Sequence, residues 1–354
     1  MSSAHVILVV MWLGLTAYVL LGGADFGGGF WDLVAGGVEG GRAQRDLIAH
    51  SIGPIWEANH VWLIFVLVVL WTAFPAAFAS VASTLIVPLT LAAFGIIARG
   101  AAFAFRKEMP DVGLQRLFGA AFAASSVLTP FFLGTVAGAV ASGRVPVGNA
   151  AGDLIGSWAN PTSVLGGTLA VGVSAYLAAV YLTRDAERTG DTKLTRLFRS
   201  RALASGVVVG AIALGGIAVL ARDAPRLFAG LTGRALPLIV ASALGGVSSL
   251  LLVWHARFTA ARAAAALAVA AVIWGWAVAQ YPEMLVGHLT ILDAAAPPAT
   301  LDALLWTLVV GGVILVPSLL LLFALFQRTG RRNEVDLPPL DHASEAVVRS
   351  GEEV

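Results

Sequence analysis

The feature that most constrains this chain is a recurrence of nine apolar blocks, each 20 to 30 residues long. They lie at 6–34, 50–73, 76–105, 114–142, 162–183, 202–221, 235–255, 260–281 and 303–326. A helix of about 20 mostly apolar residues crosses the hydrocarbon core of a bilayer. Within lipid a helix also satisfies its own backbone groups. The blocks therefore predict an all-α integral membrane protein with about nine transmembrane helices. Charged residues make up 12% of the chain, against roughly 25% in ordinary soluble domains. That composition excludes a disordered chain and argues against a soluble one. The first block has no basic leader region and runs on to Trp31, so it reads as a span and not as a cleaved signal peptide.

Lysine and arginine in the connections prefer the cytoplasmic side. One alternating set of connections carries Arg42, Arg45, Arg106, Lys107, Arg116, Arg184, Arg188, Lys193, Arg196, Arg199, Arg201, Arg257, Arg262, Arg328, Arg331, Arg332 and Arg349, which makes 17. The opposite set carries Arg144, Arg222, Arg226 and Arg234, which makes 4. This 17:4 split predicts an outside N-terminus and a cytoplasmic C-terminus. Residues 1–327 read as a single nine-helix domain. Residues 328–354, with a Pro338-Pro339 pair, read as a polar, flexible cytoplasmic tail. The basic residues are scattered between apolar blocks, so nothing points to nucleic acid. The chain has no cysteine, which excludes disulfides, thiolate metal sites and thiol nucleophiles.

Ionisable residues inside spans are expensive and point by default to function. Asp25 lies in the first block, Glu57 and His60 in the second, and Arg99 in the third. Counted from the predicted cytoplasmic ends, the two carboxylates and the guanidinium sit at a similar depth, about 10–14 Å from the inner face at 1.5 Å per residue. Glu57 and His60 are three apart and share a helix face. Two readings compete. Arg99 could neutralise Asp25 or Glu57 and fix helix packing. Alternatively the cluster is a hydrated cytoplasmic inlet in which Glu57 and His60 relay protons, as carboxylate–imidazole chains do.

Other motifs are weaker. The glycines around Asp25 have no preceding strand and no following Gly-Lys-Ser/Thr, so they do not make a phosphate loop. In a span they allow close backbone approach or local unwinding. The six histidines include no pair at i,i+3 or i,i+4 spacing, and only His60 is deep. The expectation is that the chain binds no metal, and no haem by itself. Trp56 and Trp62 flank Glu57 and read as packing residues around it.

The residues of the first three blocks carry a resemblance. Gly23, Asp25, Phe26, Gly27 and Gly29 match a Gly-x-Asp-Phe-Gly-x-Gly motif. Pro54, Trp56, Asn59, Trp62 and Leu63 match Pro-x-Trp-Asp-Gly-Asn-Glu-x-Trp-Leu. Arg99, Gly100, Phe103, Phe105 and Arg106 match Arg-Gly-x-x-Phe-x-Phe-Arg. Further on come Tyr281-Pro282, Leu289-Thr290-Ile291, Asp293-Ala294 and Thr300-Leu301. The chain resembles subunit II of the cytochrome bd-type quinol oxidases, as a divergent branch. Glu57 replaces an aspartate, Ala58 a glycine, His60 a glutamate, and Ala104 an acidic residue.

The resemblance implies a haem-free second subunit of a complex in a bacterial inner membrane that oxidises quinol and reduces O2 to water. Its partner would be subunit I, carrying haem b and haem d. A small accessory membrane subunit and a structural quinone occur in this setting. By carry-over, Glu57 is the proton-relay residue, with Asn59 and His60 orienting or extending it, and Asp25 and Arg99 form charged support. The competing classes are a proton- or ion-coupled secondary transporter, for which no internal repeat is visible, and a purely structural membrane scaffold.

Overall fold

The computed structural model describes residues 2–37, 40–52, 56–108 and 112–333. Thirteen helices and one small hairpin make up these residues: α1 (Ser3–Leu33), α2 (Arg42–Ile52), α3 (Trp56–Ala73), α4 (Pro75–Thr84), α5 (Ile86–Glu108), α6 (Val112–Ala141), α7 (Pro161–Arg188), α8 (Thr192–Asp223), α9 (Pro225–Thr232), α10 (Leu236–Trp254), α11 (Phe258–Gln280), β1 (Glu283–Leu285), β2 (Leu289–Thr290), α12 (Ile291–Ala294) and α13 (Pro298–Asn333). Among the described residues, eight helices are long and apolar enough to cross a membrane, and the bent pair formed by α3 and α4 gives a ninth candidate.

The structure differs from the apolar blocks in three places. The block 76–105 is not one helix. Residues 75–84 form α4, which turns 120° away from α3, and the span itself begins at Ile86. Pro75 opens α4 at its first position, where its missing N–H is harmless and its fixed φ suits a helix start. The block 202–221 is the apolar part of a longer helix that starts at Thr192. Asp191 caps it by accepting hydrogen bonds from the Lys193 and Leu194 amides at 2.8 and 2.9 Å, a strong helix-start signal. The final helix continues to Asn333, past the end of its apolar block; the remainder of the polar tail, 334–354, lies outside the described residues.

Residues up to Leu301 form one compact unit, and the helix beyond it a second. In the first unit α5 packs on α6, α6 on α7, α7 on α8 and α10 on α11, and α1 lies against α3, α6 and α7. The buried core draws on α1, α7, α8, α10 and α11, with Trp31, Tyr176, Leu177, Val180, Phe198 and Val253 among small Ala positions. Small residues let helix backbones approach closely in lipid, where packing replaces the hydrophobic drive. Polar side chains tie the helices further. Trp31 Nε1 donates to the Ala175 carbonyl at 2.8 Å, Trp12 Nε1 to Ile273 at 3.0 Å, and Tyr176 Oη to Ser249 Oγ at 2.6 Å.

The two ends of this unit are built differently. One end gathers the basic connections. There Arg45 pairs with Asp32 at 2.9 Å, Arg201 lies over the Trp31 ring, Arg199 donates to the Trp254 carbonyl, and Arg262 faces Asp185 at 3.5 Å. The other end is poor in arginine and carries an irregular layer. In it Ser80 and Ser83 of α4 accept from the Gly148 and Ala150 amides at 3.0 and 2.8 Å. The Ala296 amide donates to Ala73 at 2.8 Å. Asp223 accepts both terminal nitrogens of Arg144, at 3.0 and 2.6 Å, and the Thr162 amide and hydroxyl, at 3.0 and 2.6 Å.

Candidate buried charge site

Four helices converge on one charged group. α1 contributes Asp25, Phe26 and Tyr18, α3 contributes Asn59 and His60, α5 contributes Arg99, and α6 contributes Phe122 and Ser126. Asp25, Asn59, Arg99 and Ser126 are 4%, 2%, 1% and 1% exposed. Such burial of ionisable groups in a span is tolerated only where partners replace water.

The partners are specific. Asn59 Nδ2 donates to the Asp25 carboxylate at 2.6 Å. Arg99 Nη2 donates to the Asp25 backbone carbonyl at 2.9 Å, and Arg99 Nε to Ser126 Oγ at 3.1 Å. Ser126 Oγ in turn donates to the Phe122 carbonyl at 2.6 Å. The guanidinium carbon lies 5.0 Å from the centroids of both Phe26 and Phe122, so the cation is held between two aromatic rings. The Arg99 charge is within electrostatic reach of the Asp25 carboxylate.

The glycines of α1 make this convergence possible. α1 is continuous from Ser3 to Leu33, so of the two sequence expectations for the glycine run, close approach holds and unwinding does not. A Cβ at Gly27 would overlap the Ser174 carbonyl of α7. A Cβ at Gly29 would overlap Ser126, the hydroxyl that receives Arg99.

The structure therefore brings Asp25, Asn59 and Arg99 together, as three adjacent polar positions of the sequence motifs. His60 joins the edge of the group. Its ring stacks on Phe26 at 5.7 Å and 26°, and lies 6.2 Å from Tyr18. Glu57 is exposed, on a different face of α3 from buried Asn59; two residues of helix are a rotation of about 200°. His60, at about 300°, falls between them in helix angle. Trp62 is half-buried and packs edge-on against Phe65 at 6.2 Å. Trp56 opens α3, with its side chain outside the described ones, as are Gly53, Pro54 and Ile55.

Ser126, Phe122 and Tyr18 are the members the sequence did not reveal. A serine in a span usually bonds back to its own helix, as Ser126 does to Phe122, so its second role toward Arg99 leaves no trace in sequence. Among the described residues no group of three His, Asp or Glu side chains is placed to hold a metal ion.

Comparison with known proteins gives a consistent picture. The sequence model of the family described as cytochrome bd terminal oxidase subunit II matches residues 3–326. The chain is 25% identical to cytochrome bd-I ubiquinol oxidase subunit 2 of Escherichia coli (strain K12), over 97% of this chain and 100% of that one. It is 29% identical to cytochrome bd ubiquinol oxidase subunit 2 of Bacillus subtilis (strain 168) over 140 residues, 38% of this chain and 40% of that protein. Among solved structures, a chain of the bd oxidase from Geobacillus thermodenitrificans superposes with a TM-score of 0.71 at 25% identity, covering 92% of this chain and 99% of that one.

Proposed function

Because the chain belongs to the cytochrome bd terminal oxidase subunit II family, we propose that it supports a haem-bearing subunit I in a bacterial cytoplasmic membrane and admits protons for the reduction of O2 to water. It is a multi-pass membrane subunit of a respiratory quinol oxidase complex. In this reading the arginine-rich end faces the cytoplasm, the N-terminus lies outside, and quinol and O2 react in the complex and not on this chain alone.

The donor set supports placing haems b and d in the partner. Axial ligation draws on His, Met, Cys or Tyr. Here the deep imidazole, His60, is stacked face-on against Phe26 and flanked by Tyr18, which does not fit a porphyrin lying against it.

Protons would enter at exposed Glu57, pass His60, and reach the Asp25 carboxylate. Asn59 holds that carboxylate in place, and Arg99 supplies the counter-charge between proton arrivals. The observation that carries this role is the short stretch of α3 that presents Glu57 outward, Asn59 inward onto Asp25, and His60 between the two.

The test is Glu57→Gln in the assembled complex. The substitution keeps size and hydrogen bonding but carries no exchangeable acid proton. The expected result is intact assembly and haem content with O2 consumption slowed severalfold. Wild-type turnover in a fully assembled variant would leave this chain a scaffold for subunit I.

A further inference from the structure

The arginine-poor end holds a second polar feature, unrelated to the buried cluster. Between α9, the last turn of α11 and β1 lies a groove of about 480 Å³, lined by Arg226, Arg234, Gln280, Tyr281 and Glu283 among others. This end carries only Arg144, Arg222, Arg226 and Arg234 as basic residues in its connections. Arg144 is consumed by Asp223, which takes both of its terminal nitrogens. Arg222 lies in the last turn of α8, and Arg226 and Arg234 fall between α8 and α10 and line the groove. Basic residues are otherwise concentrated at the opposite end, so their clustering here calls for a cause other than topology.

The two arginines are poised toward the groove. Arg234 spends one nitrogen on the Ala279 carbonyl, 2.7 Å away at the end of α11. A guanidinium has five N–H donors in a fixed fork, so most of its donors remain. Arg226 has no hydrogen bond or ion pair within the described chain, and it reaches across the hairpin, where a Cβ at Gly287 would overlap its guanidinium. The one carboxylate of the lining, Glu283, is turned to the Gly287 amide at 3.0 Å, and neither arginine pairs with it.

The depth of the groove identifies the ligand class. α8 ends at Asp223, α10 begins at Leu236, and α11 ends at Gln280, so the groove opens where three spans leave the hydrocarbon. That is the level of phospholipid headgroups. α9 has the build of an interfacial helix, with Leu227 buried and Arg226 exposed. Tyr281 is exposed at the rim, as interfacial aromatics are. Arginine pairs with phosphate oxygens through parallel N–H bonds.

We propose that this groove binds the phosphate of an anionic phospholipid headgroup, with Arg226 and Arg234 as its donors. The test is retention of phosphatidylglycerol by the purified complex, read by native mass spectrometry as the lipid is titrated in mild detergent. Arg226→Gln, which removes no hydrogen bond or ion pair within the described chain, should weaken retention roughly fivefold, on the scale of one basic side chain near a membrane surface. Arg226→Gln with Arg234→Gln should weaken it further. Arg222→Gln, outside the groove, should leave it unchanged.

Inorganic phosphate distinguishes the source of the anion. If millimolar phosphate displaces the lipid, the site recognises the phosphate group itself. If it does not, binding also needs the acyl chains. Either result supports the site. Equal retention by the wild type and Arg226→Gln would overturn it, as would equal losses in Arg222→Gln and Arg226→Gln, which would mark general surface charge.

Discussion

Two of the Arg–Asp pairings among the described residues are built on opposite plans. At the arginine-poor end, Asp223 is 16% exposed and Arg144 31%, and the carboxylate is saturated by a two-pronged guanidinium and by Thr162. In the span interior, Asp25 and Arg99 are buried to 4% and 1%. There Arg99 spreads its donors over a backbone carbonyl, a serine and two phenylalanine faces, while Asn59 holds the Asp25 carboxylate. The first arrangement is a clamp: it pins the 142–160 loop and the start of α7 to the end of α8. The second surrounds a carboxylate with neutral partners and keeps a cation nearby. Four helices, α1, α3, α5 and α6, meet through these contacts. The same pair of residue types thus anchors a loop in one place and joins buried helix faces in the other.

Arg99→Leu attacks the second plan and carries the largest expected effect. It leaves the Asp25 carboxylate buried without its cation, a class of change that costs about 3–5 kcal/mol. The expected outcome is a sharp loss of assembled complex in the membrane, measured as haem per unit of expressed chain. Normal yield would mean that Asn59 alone suffices for Asp25, and the contrast between the two pairings would collapse.

The shared level of Asp25 and Arg99 was legible in the sequence, because counting residues from the span ends places the two alongside each other, and the structure brings them together. The partner of Asp25 was not. After His60, α3 is apolar on every face up to Trp71, so no polar stripe fixes its rotation, and sequence alone cannot say whether Glu57 or Asn59 faces inward. The spans were legible because length and hydropathy are the constraints lipid imposes. The bend at α4 was hidden because residues 76–84 are as apolar as a span, with Pro75 the only punctuation. The early start of α8 was hidden because Lys193, Arg196, Arg199 and Arg201 look like a loop by charge, although Asp191 is placed as a cap.

Asp223→Asn tests the clamp. It keeps the shape and one acceptor oxygen but removes the charge that holds Arg144. Hydrogen bonds to charged groups contribute about 1.5–3 kcal/mol each, so the thermal midpoint of the complex should fall while O2 turnover in the assembled enzyme is unchanged. A turnover defect at unchanged midpoint would show that the two ends are functionally coupled and not separately specialised.

Gly27→Ala separates packing from charge within the buried site. The new methyl would meet the Ser174 backbone carbonyl, which cannot rotate away as a side chain would. Overpacking of this kind costs about 1–3 kcal/mol, and here it would push α1 away from α7 next to Asp25 and Phe26. Gly210→Ala, with nothing near its Cβ, should be neutral or slightly stabilising, because alanine is the better helix former. Equal effects of the two on complex stability would remove close α1–α7 contact as the basis of the site.

The smallest effect belongs to the irregular layer that the clamp secures. Asp153 is exposed, and its carboxylate accepts backbone N–H bonds from Gly156 and Ile155, at 2.5 and 2.9 Å, which hold it below the usual carboxylate range. A carboxyl group depressed in the folded chain favours folding at pH values above its unfolded range and loses that contribution as pH falls through its folded range. The Asp153 turn should therefore loosen on acidification below the usual carboxylate range and be unaffected near neutrality. Amide hydrogen exchange at Ile155 and Gly156, normalised for the intrinsic acid dependence, should speed up over that interval, and Asp153→Asn should flatten the response. If the wild-type amides stay equally protected while Arg144 and Asp223 remain paired, the clamp alone holds the loop and the Asp153 turn contributes nothing to its order.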